Sequence, residues 1–340
     1  MCGHWLIVVV NMNKSAVYLD IHALTKDAKH EPIRAGFGRG LVVAGQRNSQ
    51  IVALSADLTD STKMGEFAKT FPERFVEMGV AEQNLVTVAS GMALAGKIPF
   101  ISSYAAFSPG RNWEQIRTTV CLNETNVKIV GSHAGVSVGP DGATHQMLED
   151  IALMRVLPNM TVVVPCDSVE AEKATMALAG HKGGAYLRLA REKSPVITTA
   201  ATPFALNKAQ VFREGEDVTI IACGLMVHQA LAAAEQLAKK GIEAEVINCP
   251  VIKPLDTVTL LVSARKTGKV ITCEEGQVAG GLGGAVAELL AEKHPVPLRR
   301  MGMLDRFGES GKPDELLEHF GLTAPHIVKV AQELIDQKEK

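Results

Sequence analysis

Short apolar runs alternate with segments of helical periodicity along most of this chain. In its first half the pattern predicts, in order, helix 36–46, strand 51–55, strand 74–77, helix 81–95, helix 113–122, strand 127–131, helix 145–156, strand 161–164, helix 168–179 and strand 185–189. Continuous apolar strands between helices are typical of a mostly parallel sheet that helices cover on both faces. The predicted fold class is therefore α/β and doubly wound.

A second alternating region follows a polar segment at 193–212, which predicts a linker. Beyond it the pattern predicts strands 218–222, 244–248 and 270–273 and helices 227–240, 257–264, 284–293, 313–319 and 324–335. We therefore expect two doubly wound domains, 31–196 and 213–340, joined by a linker at 197–212. Residues 1–30 fit neither domain and are predicted to be a lead-in of uncertain structure, with some helix over 18–29.

Composition narrows the classes of function. A chain of 340 residues with 46% hydrophobic and 21% charged residues can form two cores, and its net charge of -2 gives no reason to expect nucleic acid or a membrane as partner. The apolar run at 5–10 is too short to span a membrane and lacks the flanks of a signal peptide. The 6 cysteines form no CxxC pair and lie in apolar surroundings, which indicates reduced thiols in a cytoplasmic protein.

Glu82 is distinctive because it lies at the start of a helix that is otherwise almost free of charge. The predicted helix 81–95 has apolar residues at near-helical spacing, and the strand 74–77 ends just before it. A buried carboxylate is costly to ionise, so it can hold or donate a proton near neutral pH as a general acid does. The competing interpretation is an acid that the helix dipole favours at a helix start.

The run Gly-Val-Ala-Glu-Gln around Glu82, followed by Ser-Ser-Tyr-Ala-Ala-Phe, resembles the pyrimidine-binding domain of the transketolase family of thiamine diphosphate enzymes. In that family the glutamate hydrogen-bonds a ring nitrogen of the cofactor's aminopyrimidine and promotes the tautomer that deprotonates the thiazolium. The resemblance implies that Glu82 is this activating acid and that Tyr104 and Phe107 contact the pyrimidine ring. Residues 31–196 would then be the pyrimidine-binding domain and residues 213–340 the transketolase C-terminal domain.

Asp57 and Ser61 follow the strand 51–55, at the end of the strand where α/β proteins bind ligands. Helix capping explains an Asp and a Ser there, although a helix N-terminus with a hydroxyl also binds phosphate. The run Ser-Ala-Asp-Leu is shared with transketolases, and the resemblance implies that Asp57 and Ser61 bind substrate, Ser61 through the sugar phosphate. Asp60 adds a negative charge beside this serine, so either Ser61 does not contact phosphate or the substrate is held differently.

His133, Asp141 and His145 lie in a glycine-rich segment after the strand 127–131. Two histidines with an Asp between them in such a loop favour a functional site over a core. A zinc site is the alternative, but the spacing matches no common ligand pattern and no cysteine is nearby. Transketolases have a similar His, Asp, His series. The resemblance implies that all three residues contact sugar hydroxyls and that the two histidines assist proton transfer.

Arg34 and Arg191 begin and end the first predicted domain. An arginine at either place is commonly a solvated surface charge. Transketolases have phosphate-binding arginines at both positions, and a guanidinium suits phosphate oxygens. The resemblance implies that Arg34 and Arg191 hold the substrate phosphate beside His133, with Arg188 the less favoured candidate.

The Gly-Asp-Gly motif through which this family binds Mg2+ and the diphosphate occurs nowhere in the 340 residues. The charge of thiamine diphosphate requires that metal. The resemblance covers nearly all of 31–338, yet only the second and third domains of a full transketolase. We therefore expect the C-terminal subunit of a split transketolase, which is inactive alone. An N-terminal subunit would supply the diphosphate and Mg2+ site, in an α2β2 heterotetramer.

The expected reaction moves a two-carbon ketol unit from a ketose phosphate to an aldose phosphate. A deoxyxylulose phosphate synthase-like subunit or an oxoacid dehydrogenase β-like subunit would have the same fold and the same glutamate. The series His133, Asp141, His145 favours transketolase over both, although the synthases share part of it. A catalytically idle regulatory homologue is the alternative from another class, and the intact set of site residues argues against it.

Overall fold

The computed structural model describes residues 18–337, and the strands in this range form a seven-stranded sheet, a five-stranded sheet and a two-stranded ribbon. The seven-stranded sheet has the order β12-β6-β7-β5-β4-β2-β3 and is parallel except where β12 joins β6. Its strands are β2 (Ile51–Ser55), β3 (Phe75–Glu77), β4 (Ile98–Tyr104), β5 (Lys128–Ser132), β6 (Thr161–Val163), β7 (Ala185–Arg188) and β12 (Val251–Lys253).

Helices accompany this sheet and bury their apolar positions against it. They are α1 (Ile33–Arg47), α2 (Gly65–Thr70), α3 (Glu82–Leu94), α4 (Trp113–Gln115), which continues as a π-helix over Ile116–Leu122, α5 (Asp150–Arg155) and α6 (Ser168–Gly180). Phe37, Phe67 and Phe100 are fully buried on one side of the sheet, in a core that α1 and α6 close. Buried aromatic and aliphatic area of this kind supplies most of the folding free energy.

The five-stranded sheet has the order β14-β13-β10-β11-β9 and is parallel except for β9. Its strands are β9 (Gln210–Arg213), β10 (Val218–Ala222), β11 (Ala244–Asn248), β13 (Val270–Gln277) and β14 (Leu298–Met303). The accompanying helices are α7 (Met226–Ala238), α8 (Thr257–Thr267), α9 (Leu282–Lys293), α10 (Pro313–His319) and α11 (Ala324–Asp336). In the ribbon, β1 (His30–Pro32) pairs with β8 (Lys193–Pro195) in antiparallel fashion.

The α/β class and the mostly parallel sheets are confirmed, with three predicted elements corrected. The predicted helix 145–156 begins only at Asp150, because the preceding residues are held in a loop by side-chain hydrogen bonds described below. The predicted linker 193–212 contains β8 and the start of β9. Residues 18–29 form turns in place of helix.

Six strands are absent from the prediction: β8 and β9, which lie or begin in the predicted linker, and β1, β4, β12 and β14. Pro99 and the polar residues that follow it interrupt the apolar run of β4, although the strand is central in its sheet and almost wholly buried. Because β12 comes from the second half of the chain and joins the sheet of the first half, the two halves share backbone hydrogen bonds. The domain boundaries at 196 and 213 stay a prediction.

Cys121, Cys166, Cys223, Cys249 and Cys273 are buried free thiols, as the apolar surroundings of the cysteines predict. Burial raises the pKa of Cys121 to about 11, so this thiol stays protonated and unreactive. Cys2 and the apolar run 5–10 lie outside the described residues. Within 18–337, the helices are all too short or too polar to cross a lipid bilayer.

Candidate active site

The candidate site lies where the carboxyl ends of β2, β4, β5 and β7 meet. These four strands are neighbours in the sheet, so the loops that follow them converge on one edge. The loop after β2 carries Asp57 and Ser61, the loop after β4 carries Phe107, and the loop after β5 carries His133 and His145. Sequence-distant residues therefore meet because parallel strands all present the same end.

Glu82 begins α3 and faces inward, with its side chain 1% exposed. The Ser103 hydroxyl donates to one carboxylate oxygen over 3.3 Å, and Arg111 Nη1 donates to the other over 2.6 Å. The Asn112 amide also donates to the Glu82 main-chain carbonyl over 2.9 Å, which fixes the start of the helix. Glu82 is therefore not a lone carboxylate, because it has a hydroxyl donor and a cation as partners.

An aromatic cluster adjoins the carboxylate. The ring centroids of Tyr104 and Phe107 are 6.1 Å apart in a stacked arrangement, and the Arg111 guanidinium lies 4.7 Å above the Phe107 ring. Tyr104 also stacks on His133, with centroids 3.8 Å apart. The His145 ring meets the Phe107 ring edge-on at 5.4 Å. We call Glu82, Ser103, Phe107 and Arg111 the carboxylate end of the cleft.

His133 has a strained backbone and a depressed basicity. Its φ of 58 lies in the left-handed region, which non-glycine residues rarely adopt and which is common at functional sites. Its ring Nδ1 is 2.9 Å from the Ser132 hydroxyl oxygen. Burial, and then the charges of Arg34 and Arg191, lower the pKa of His133 to about 3. The imidazole is therefore neutral at physiological pH and can exchange hydrogen bonds without carrying charge.

Arg34, His133 and Arg191 form what we call the cationic end of the cleft. Arg34 Nε donates to the Arg191 carbonyl over 3.2 Å, and its guanidinium also donates to the Ser61 carbonyl. Arg191 Nη1 donates to the Val138 carbonyl over 2.8 Å. Burial lowers the pKa of Arg34, and repulsion from the neighbouring Arg191 lowers it further. An anion bound between the guanidinium groups would relieve that repulsion.

Asp141 lies at this end, with a carboxylate oxygen 3.4 Å from Arg191 Nη1. Ser61 contacts Arg34 through its carbonyl oxygen. The Asp60 carboxylate points to the start of α2, where an added Cβ on Gly65 would lie 2.7 Å from its oxygen. The Asp60 carboxylate therefore lies beside the first residue of α2.

Asp57 is exposed and has a φ of 60, a second non-glycine residue in the left-handed region. Its N–H donates to Glu77 over 2.6 Å, and the Thr59 hydroxyl donates to the other Glu77 oxygen over 2.7 Å. Glu77 therefore holds the loop that carries Asp57 and Ser61. Nothing in the sequence pattern identifies Glu77, because an acid at the end of an apolar strand is typical of a solvated charge.

The structure brings together at one cleft the residues Arg34, Ser61, Glu82, Tyr104, Phe107, His133, Asp141, His145 and Arg191, with Asp57 on an adjoining loop. Arg188 is excluded from the cleft, because it is buried in an ion pair with Asp150 over 2.9 Å. Sequence reasoning missed Ser103, Arg111 and Asn112, which are the partners of Glu82. An arginine four positions after Phe107 in the same loop was the available signal.

The carboxylate end has the two groups that an aminopyrimidine ring would contact, an aromatic face and a carboxylate acceptor. Arg111 is a flat, cationic nitrogen donor that stacks on Phe107 and bonds a carboxylate oxygen of Glu82, and its side chain is 49% exposed. A pyrimidine ring with an N–H directed at Glu82 would use the same two surfaces. Among residues 18–337, no group of three or more His, Cys, Asp and Glu side chains is arranged to hold a metal ion.

Two models of known protein families match this chain. Residues 31–196 match the family described as "Transketolase, pyrimidine binding domain", and residues 207–327 match "Transketolase, C-terminal domain". The chain is 46% identical over 298 residues to the 6-deoxy-6-sulfo-D-fructose transketolase subunit SqwH of Clostridium sp. (strain MSTE9), covering 88% of this chain and 92% of that protein.

It is also 38% identical over 303 residues to an apulose-4-phosphate transketolase subunit of Phocaeicola vulgatus, covering 89% of this chain and 97% of that protein. Among solved structures it resembles a chain titled "Split gene transketolase, inactive beta4 tetramer", with 47% identity and a TM-score of 0.85. That match covers 91% of this chain and 99% of the solved chain.

Proposed function

The chain belongs to the transketolase family, and we propose that within it this protein is the C-terminal subunit of a split, thiamine diphosphate-dependent transketolase. It would transfer a two-carbon ketol unit from a ketose phosphate to an aldose phosphate. The observation that carries this proposal is a cluster of packed rings, Tyr104, Phe107, His133 and His145, between a buried, hydrogen-bonded Glu82 and a pair of neighbouring arginines.

The carboxylate end is proposed to bind the cofactor. Glu82 would hold a proton against a ring nitrogen of the aminopyrimidine, while Phe107 and Tyr104 would contact the ring faces. When bound, thiamine diphosphate supplies an electron sink for a carbanion. The protein's contribution is to orient the ring, exclude water around Glu82 and keep that carboxylate within hydrogen-bonding distance of one nitrogen.

The cationic end is proposed to bind the sugar phosphate. Arg34 and Arg191 would hold phosphate oxygens, with Ser61 and Asp57 on the adjoining loop. His133 is neutral, so it suits hydrogen bonds to phosphate or sugar hydroxyl groups. His145 would accept or donate protons at the hydroxyl groups, and Asp141 would orient both the sugar and Arg191. The distance between the two ends then selects for a substrate that has its phosphate remote from the reacting carbonyl.

The diphosphate and Mg2+ are proposed to be held mainly by a separate N-terminal subunit. The missing Gly-Asp-Gly motif and the lack of a metal-binding cluster among residues 18–337 support this division. Two of the relatives are named as subunits, and the solved relative is a split-gene protein whose title describes an inactive β4 tetramer. We therefore propose an α2β2 assembly in the cytoplasm, with sites where two different chains meet and self-association through the same fold.

Calorimetry tests the proposal. Thiamine diphosphate with Mg2+ is titrated into the chain alone, into its mixture with the candidate N-terminal subunit, and into a mixture made with Glu82→Gln. We expect tight binding only in the mixtures and ketol transfer only in the wild-type mixture. Tight binding by the chain alone would overturn the shared site. Transfer from pyruvate in place of a ketose phosphate would instead identify a deoxyxylulose phosphate synthase-like subunit. If thiamine diphosphate binds to none of the samples, the chain is an idle homologue.

A further inference from the structure

The loop that carries His133, Asp141 and His145 is packed against the second half of the chain. We define residues 133–146 as the histidine loop. We propose that Glu275, on β13, is a positioning residue that holds the histidine loop in its working geometry. This inference rests on the proposed function, because it assigns the C-terminal half a part in ketol transfer although that half contributes no residue to the cleft described above.

Glu275 reaches into the histidine loop with a fully buried carboxylate, the residue being 2% exposed. One carboxylate oxygen accepts the Ser137 N–H over 2.5 Å, at the start of a 3-10 helix over Val136–Asp141. A carboxylate at that position also faces the positive end of the short helix. The contact is therefore a directed hydrogen bond from one half of the chain to the backbone of the other.

Gly135 provides the space for this carboxylate. Its φ of 91 is open to glycine and strained for other residues, and a Cβ added there would lie 2.3 Å from the Glu275 carboxyl carbon. The backbone of the histidine loop thus approaches Glu275 as closely as a glycine allows. Two residues before Gly135, His133 has its own positive φ, which the surrounding contacts must maintain.

Arg188 holds the backbone of Glu275 from the other side. Its guanidinium donates to the Glu275 carbonyl over 2.6 Å and to the Asp150 carboxylate over 2.9 Å. The next contact along β13 is also a hydrogen bond to the first half, from the Gln277 N–H to the Leu148 carbonyl over 2.8 Å. Glu275 is consequently fixed at both its main chain and its carboxylate.

Gln146 closes the histidine loop at its far end. Its amide nitrogen donates to the Gly139 carbonyl over 3.0 Å and to the Glu309 carbonyl, in the C-terminal half, over 2.8 Å. An added Cβ on Gly308 would lie 1.8 Å from the Gln146 side-chain oxygen. The histidine loop is therefore held to the C-terminal half at two places, one near each histidine.

This arrangement predicts that loss of the Glu275 carboxylate releases the part of the histidine loop that follows His133 and leaves Glu82 in place. Glu82, Ser103 and Phe107 belong to α3, β4 and the loop that follows β4, which do not depend on Glu275 for hydrogen bonds. Misplacement of catalytic groups by about 1 Å can reduce a rate by about 10²-fold. Substrate turnover should fall while cofactor binding is preserved.

The test compares Glu275→Ala, Glu275→Asp and Glu275→Gln in the complex with the N-terminal subunit. Glutamine keeps an oxygen that can accept the Ser137 N–H, and alanine has none. Aspartate keeps a carboxylate, but its side chain is one methylene shorter, so the oxygen lies farther from Ser137. We expect kcat/KM for ketol transfer to fall about 10²-fold in Glu275→Ala. The loss should be intermediate in Glu275→Asp and small in Glu275→Gln, with the dissociation constant for thiamine diphosphate unchanged in all three. Equal activity of folded Glu275→Ala and wild type, or a matched loss of cofactor affinity, would overturn the proposal.

Hydrogen exchange of the chain separates this inference from the proposed reaction and from simple unfolding. Exchange should accelerate across residues 137–146 in Glu275→Asp and Glu275→Ala, and stay at the wild-type rate in α1 and α6. If the wild-type complex transfers no ketol unit, the proposed function fails, while the exchange result still decides whether Glu275 holds the loop. Uniform acceleration in all elements would show general destabilisation and contradict a positioning role.

Discussion

The two ends of the cleft are built in opposite ways. The carboxylate end comes from one stretch of chain, since Glu82, Ser103, Phe107 and Arg111 lie within thirty residues and on consecutive elements. The cationic end joins Arg34, His133 and Arg191, which come from α1 and from the loops after β5 and β7. The first end is charge-compensated by the Glu82–Arg111 pair. The second places two arginines beside a neutral histidine, with Asp141 and Glu192 as carboxylate partners of Arg191.

This difference indicates a division of labour between the ends. At the carboxylate end, a flat heterocycle with an N–H group could take the place of the Arg111 guanidinium, which is also flat and also donates to Glu82. Two neighbouring cations suit an anionic group, because an anion between them adds counter-charge and relieves their mutual repulsion. Substitutions at the two ends should therefore separate cofactor activation from substrate binding.

Glu82→Gln should have the largest effect. The amide keeps the size of the side chain and its contact with Ser103, but it cannot hold a proton in the same way as a carboxyl group. We expect kcat for ketol transfer to fall by about 10²- to 10⁴-fold, as is typical when an acid–base group is removed. Steady-state kinetics of the complex measure this fall, and a thermal melt controls for folding. If Glu82→Gln transfers the ketol unit as fast as wild type, the carboxylate end does not activate the cofactor and the proposed difference between the two ends is wrong.

Arg191→Met should act on substrate and not on cofactor. A hydrogen bond to a charged group contributes about 1.5–3 kcal/mol, so KM for the sugar phosphate should rise roughly 10- to 100-fold. The dissociation constant of thiamine diphosphate should stay the same. Arg191→Lys keeps the charge but loses the planar guanidinium, so its KM should lie between that of wild type and that of Arg191→Met. If cofactor affinity decreases in parallel with the rise in KM, the ends are not independent.

Arg111→Met should lower the stability of the chain itself. Glu82 is 1% exposed and loses its cation, whereas Arg111 is 49% exposed, so the cost lies between that of a buried and that of a surface pair. We expect the free energy of unfolding to fall by about 1–2 kcal/mol in urea at neutral pH. Arg117→Met, on the exposed side of the π-helix, is the matched control and should change stability by less. Equal values for the two variants would mean that Arg111 does not compensate Glu82.

His133→Asn should have the smallest effect on stability at neutral pH, and its effect on stability should appear as a change in pH dependence. The pKa of His133 is lowered from 6.5 to about 3, so between these values the unfolded chain binds a proton that the folded chain does not. Stability is therefore present above pH 6.5 and is lost as the pH falls toward 3. Between pH 7.5 and pH 5, wild type should lose about 1–2 kcal/mol more than His133→Asn. If the urea midpoints of the two proteins change equally between the two pH values, the pKa of His133 is not lowered in the folded chain.

Secondary structure was predicted correctly where the apolar periodicity was unbroken. The prediction was wrong where side-chain hydrogen bonds held the backbone in another conformation. The strand around Ile51 is an apolar run that is buried on both faces, the helix around Leu85 buries one face, and both were predicted. The loop at His145 is apolar and helix-like in sequence, yet Gln146 donates to backbone carbonyls and holds it out of a helix. An amide hydrogen bond of that kind depends on a distant partner, which local patterning does not contain.

The sequence by itself determined the α/β class, the family resemblance and the residue types at the cleft, because these depend on short-range periodicity and on motifs of adjacent residues. Only the tertiary structure decided that Arg111 pairs with Glu82, that Arg188 is buried away from the cleft, and that Glu275 reaches the histidine loop. Those contacts join positions that are remote in the chain or set by loop geometry, and the burial and distance that give them their energy exist only once the sheets have formed.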